Sequence, residues 1–154
     1  MCLITHSSAL SKAEKPIKCY KVLIKGYDDE RLTPIQKAQV PKSILLGIKT
    51  FKAEGIGILR PANWYYYATW GFEYVAEKGF IHCFKTLDGA AEAAKPRFRC
   101  EKKYRFEIWE VEIPAGTEYV EGFYRYSLMG DTSLDMLECV AAREIRYVKP
   151  MSGK

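Results

Sequence analysis

The two histidines and five cysteines are the natural starting point for chemistry in this 154-residue chain. His82 and Cys83 are neighbours in Gly79–Phe84, GFIHCF, a compact apolar run that reads as a strand. Adjacent side chains on a strand point to opposite faces, so this pair is no nucleophile and base by contact. His82 shares a face with Phe80 and Phe84. One imidazole on an apolar face is either a satisfied core histidine or a ligand contact. The cysteines, at 2, 19, 83, 100 and 139, form no CxxC and no even framework. That scatter points to reduced thiols in a reducing, cytoplasmic setting and to no metal site. A Cys2 nucleophile would need Met1 removed, and nothing downstream supports that class. There is no phosphate-cradling Gly-rich loop, no HExxH and no GxSxG.

The densest aromatic stretch is 63–74, NWYYYATWGFEY, with Tyr65, Tyr66 and Trp70 at its centre. Interleaved rings can stack on bases or line a ligand pocket. The plainer reading is packing beneath a loop, because no Lys or Arg lies between Arg60 and Lys78. The net charge of +5 leans toward the first sixty residues. A basic portion can attract nucleic acid or nucleotide phosphate, and equally it can be a solvated lysine surface.

The elements that must position these residues follow from period and punctuation. Residues 102–122, KKYRFEIWEVEIPAGTEYVEG, read as a long strand, a corner at Pro114–Gly116, and a second strand. Apolar parity changes at Ile108, which requires a bulge or a strand buried on both faces. Further strands are expected at 17–24, 80–84 and 139–148. Helices are expected near 34–40, after Thr33 and Pro34, near 43–53, and near 87–94, after Thr86. Residues 1–15 read as an N-terminal arm and 16–150 as one domain. The mixture predicts an α+β domain with a mainly antiparallel sheet, whole or split. No apolar run is long enough to span a membrane.

GFIHCF followed by a Thr-capped, Ala-rich helix resembles the Gly-Phe-Ile-His-Cys/Leu pattern of small uncharacterised bacterial domains related to the ADP-ribosyltransferase and RNA 2′-phosphotransferase fold. The later pair, IPAGTEYVEG and CVAAREIRYV, resembles the end of small phage and bacterial proteins. Together the similarities touch residues 17–24 and 79–148. The first resemblance implies a cleft for NAD or a related nucleotide. His82 then matches the motif histidine. Lys21 stands on the first strand where such enzymes show Arg or His, and Glu144 is nearest by position to the late Glu. The only Glu-x-Glu spacing is Glu110-Val111-Glu112, which lies mid-strand. On this resemblance Tyr65, Tyr66 and Trp70 border the cleft. The function implied is a nucleotide-using transferase-fold domain. The alternative is an interaction protein of phage or mobile-element origin that keeps such a fold without chemistry.

Overall fold

The computed structural model describes residues 2–26, 30–33, 39–61, 74–76, 79–94, 105–125 and 137–151. In chain order the elements are β1 Cys2–Thr5, β2 Ser11–Lys12, β3 Ile17–Lys25, β4 Arg31–Leu32, α1 Lys42–Leu45, β5 Phe51–Lys52 and β6 Leu59–Pro61. They continue with β7 Tyr74–Ala76, β8 Ile81–Phe84, α2 Leu87–Ala93, β9 Arg105–Ile113, β10 Glu118–Arg125, β11 Glu138–Ala142 and β12 Glu144–Pro150. The strands form one sheet in the order β5-β12-β9-β3-β8-β11-β10-β1-β7-β6, with β2 against β10 and β4 against β3. Residues 1–15, expected as an arm, therefore contribute two strands, and β1 is paired on both sides, by β10 and by β7.

This architecture corrects the α+β expectation: the chain is mostly antiparallel β, curled into a half-barrel. The curl follows from connectivity. On the sheet path β12 and β11 stand four strand spacings apart, which is ~19 Å if flat. In the chain only Arg143 separates them, and two Cα steps reach at most ~7 Å. The five strands β12-β9-β3-β8-β11 must therefore wrap until their ends meet at the Arg143 bend. The last strand expected at 139–148 is accordingly two strands turned about that corner.

The lost helix has a local cause and a distant one. The apolar spacing over 43–53 predicts a helix, but α1 covers only Lys42–Leu45. Gly47 takes φ +73, a left-handed turn that ends the helix, and Leu46 and Ile48 are exposed. Phe51 and Lys52 then pair with Ile145 and Glu144 as a strand. Of the helix expected at 34–40, residues 34–38 lie outside the described residues, and Gln39 bridges Leu32 in antiparallel fashion. The third expectation holds. Thr86 caps α2 by accepting from Gly89 N at 3.0 Å, and the helix lies on β3 and β8.

Two apolar layers cover the two faces of the sheet. Inside the curl lie Cys19 and Leu23 of β3, Cys83 of β8, Trp109, Val111 and Ile113 of β9, and Ile145 and Tyr147 of β12, closed by Val40 and α1. On the outer face Val22, Phe84, Ile108, Tyr124 and Ala141 pack with Ala90 of α2. The parity change at Ile108 is thereby resolved. β9 pairs with β3 in unbroken register from Arg105 to Ile113, with no bulge on that side. Its first half buries outward and its second half inward.

Candidate functional site

His82 projects from β8 on the outer face and is half-buried. Its Nε2 lies 2.7 Å from the Ala76 carbonyl. A carbonyl accepts only, so that contact requires Nε2 to carry the proton when the ring is neutral. Lys21 sits on β3 with Cys19 and Leu23, on the inner face, directly opposite Trp109 of β9. Its Nζ donates to the His82 backbone carbonyl at 2.9 Å. Desolvation draws the Lys21 ammonium below its ordinary pKa, opposed by Cys83 and then Cys19. Lys21 and His82 are thus neighbours through the backbone, with side chains on opposite faces of the sheet.

Glu144 opens β12 beside Lys52, and its carboxylate accepts from the Thr50 hydroxyl. It stands beyond the Arg143 bend, on a strand separated from β8 by β9 and β3 along the sheet path. Tyr65, Tyr66 and Trp70 lie outside the described residues. The Glu-x-Glu spacing on β9 serves ion pairs along the ladder: Glu112 meets Arg146 at 2.6 Å, and Glu110 meets Lys18 at 3.8 Å. The structure therefore brings Lys21 to the backbone of His82 and places Glu144 apart from both.

Three features were not singled out by sequence reasoning. The first is a cavity of about 380 Å³ beside β9, lined by Trp109, Arg31, Val40, Lys42 and Leu45. One oxygen of Glu107 accepts from both Arg31 Nε and Trp109 Nε1, each at 2.7 Å. The charge-assisted bonds hold the indole as one wall. The only trace in the sequence is the i, i+2 spacing of Glu107 and Trp109 on one strand face.

The second is a thiol pair inside the curl. Cys19 and Cys83 are both free and buried, and they belong to the same apolar layer. Proximity to Cys83 and burial push the Cys19 thiol up, while Cys19 and the Lys21 ammonium draw the Cys83 thiol down against its burial. Burial pushes Cys139, on the outer layer, up to about 12. Strand parity alone puts each cysteine on a face; only the β3–β8 register makes them neighbours.

The third is the run of exposed side chains over 42–60, here called the ridge, which leads from α1 through the edge strand β5 to β6 at the other end of the sheet path. Leu46, Ile48, Ile56 and Ile58 are 64%, 71%, 77% and 53% exposed. Between and beside them stand the exposed cations Lys42, Lys49, Lys52 and Arg60, against one carboxylate, Glu54. Among the described residues none of those four cations makes an ion pair. The ridge is fastened to the body by Arg143, whose guanidinium donates to Gly79 O and, at 2.7 Å, to Gly55 O. Ala53 N adds a bond to Arg143 O at 2.8 Å.

Among the described residues, no helix is long and apolar enough to cross a membrane. Comparison of the chain with known protein families, with curated proteins and with solved structures gives no match.

Proposed function

We propose that this protein is a non-catalytic binding module whose ridge, residues 42–60, receives an acidic protein segment. The observation that carries the reading is the ridge itself: four aliphatic side chains more than half exposed, interleaved with four exposed cations that make no ion pair among the described residues. Scattered exposed aliphatics need no explanation, but four within thirteen residues, beside exposed positive charge, form a surface with a preference. Aliphatic side chains and lysines fit a protein strand or helix bearing carboxylates. A single-stranded nucleic acid would be met by aromatic rings and arginine. A second copy meeting the same ridge would place like charges together, which disfavours self-association there. The polar heads of His82, Lys21 and Glu144 are engaged by Ala76 O, His82 O and Thr50, which is how structural residues behave.

The test titrates the protein with a synthetic peptide of alternating Asp and Ile, with polyglutamate, with single-stranded DNA, and with NAD and a 2′-phosphorylated RNA end. The expected order is the alternating peptide first, with salt-sensitive affinity that falls at least about tenfold in Lys49→Glu/Lys52→Glu and in Ile56→Ser/Ile58→Ser. NAD or RNA-end binding that disappears in His82→Ala would overturn the reading in favour of a nucleotide-using transferase. Binding of DNA in preference to the acidic peptide would replace the protein partner with a nucleic acid.

A further inference from the structure

We infer that Cys19 and Cys83 are a redox pair, closed to an intrachain disulfide by hydrogen peroxide and reopened by a dithiol. This rests on the interior of the half-barrel and is independent of the ridge.

The two thiols lie on adjacent antiparallel strands and face the same layer. Tyr20 is the residue opposite Phe84, so the register sets Lys21 opposite Cys83 and Cys19 on the diagonal. Both side chains therefore enter the same apolar layer from neighbouring strands, one diagonal step apart. Their positions differ from that of Cys139, which belongs to the outer layer with Leu3, Phe84 and Tyr124.

The seam they occupy is the thinnest in the curl. β3 pairs with β9 over the whole strand, from Ile17 opposite Ile113 to Lys25 opposite Arg105, but with β8 through one residue pair. A short ladder opens locally more readily than a long one, and such opening admits a molecule as small as hydrogen peroxide to an otherwise buried site. The same thin ladder is where a covalent link between β3 and β8 would restrain the most motion, joining residues 64 positions apart in the chain.

The chemistry divides between the partners. Cys83 is the nucleophile, because the register sets Lys21 directly opposite it and a neighbouring ammonium favours the thiolate. Its thiolate attacks the distal peroxide oxygen, the O–O bond breaks, and Cys83 becomes a sulfenic acid as hydroxide leaves and takes up a proton as water. The Cys19 sulfur then attacks the Cys83 sulfur, the S–O bond breaks, and a second water departs with the Cys19 proton. Two thiols are oxidised by two electrons, and one peroxide is reduced to two waters. A dithiol reverses the step by exchange.

The experiment treats the native, full-length protein with excess hydrogen peroxide, quenches with acid, and counts thiols after denaturation without reductant. Proteolytic mapping follows by mass spectrometry. The expected result is the loss of two of five thiols and a single cross-linked peptide pair containing Cys19 and Cys83, removed by dithiothreitol. Cys139→Ser should leave that product unchanged, and Cys83→Ser should abolish it. Should a serine variant fail to fold, the wild-type peptide map still decides. Five thiols retained, a bond mapping to any other pair, or sulfinic acid at Cys83 without a cross-link would each overturn the inference.

Discussion

Gly122 offers the most direct test of how the sheet is assembled. It lies in β10 next to β1, opposite Cys139 of β11. A Cβ placed there would stand 2.2 Å from the Ile4 carbonyl oxygen and 2.7 Å from Leu3 Cδ2. The first neighbour is backbone, in a strand held on both sides by β10 and β7, so it cannot turn away as a side chain would. Two outcomes bracket the cost of Gly122→Ala. If β1 stays and the contact is absorbed as strain, overpacking costs about 1–3 kcal/mol. If β1 peels away, the buried Leu3 and Ile4 are exposed, at about 1.5–3 kcal/mol each. Alanine returns about 0.4–1 kcal/mol by narrowing the unfolded ensemble. The net expectation is a loss of about 0–2.5 kcal/mol in urea unfolding if β1 stays and about 2–5.5 kcal/mol if it peels away, in either case with faster amide exchange confined to β1 and its neighbours. Gly116→Ala is the control: its φ is +85 and nothing lies within 4 Å, so it tests backbone strain without a clash. A Gly122→Ala protein within about 0.5 kcal/mol of wild type, with unchanged exchange at Leu3 and Ile4, would refute the placement of β1 against β10.

Trp109→Ala should cost about 3–5 kcal/mol, since the ring is 7% exposed and packs edge-on against Tyr147 at 5.7 Å; a loss below about 1 kcal/mol in chemical unfolding would place it at the surface. Arg143→Met should cost about 2–4 kcal/mol by releasing the Gly79 and Gly55 carbonyls, and limited proteolysis should then cut first within 53–58; unchanged cleavage would show that the guanidinium does not hold that segment. The Cys139 thiol keeps its proton to about 12 in the fold and loses it near 9.0 when unfolded. The unfolded chain then binds fewer protons, so this contribution is intact below about pH 9 and falls as pH rises toward about 12, by at most about 4 kcal/mol. Cys19 and Tyr147 act in the same direction, while the lowered Lys21 acts in the opposite one. Urea midpoints at about pH 8 and about pH 10.5 should therefore diverge less in Cys139→Ala than in wild type, and equal divergence would contradict the burial of that thiol.

What the sequence determined by itself was local. Alternation of apolar residues marks β3 in IKCYKVLIK, β8 in IHCF and β9 in RFEIWEVEI, and Thr86 starts α2, because side-chain period and capping act within a few residues. The parity change at Ile108 was legible as a choice between a bulge and burial on both faces. Tertiary structure chose the second by covering one face with α2 and curling the other around Trp109 and Tyr147. The same local reasoning made a helix of 43–53, because Ile44, Leu45, Ile48 and Phe51 keep helical spacing. Pairing with residues 144 and 145, almost a hundred positions away, made Phe51–Lys52 a strand instead. The candidate site divides in the same way. GFIHCF fixed the face on which His82 lies. Only the packing of Ala76 against it decided that its Nε2 meets a carbonyl, and only the β3–β8 register brought Cys19 to Cys83. A strand's ladder partners lie far along the chain, so its register and neighbours depend on the whole fold and are not written in any one segment.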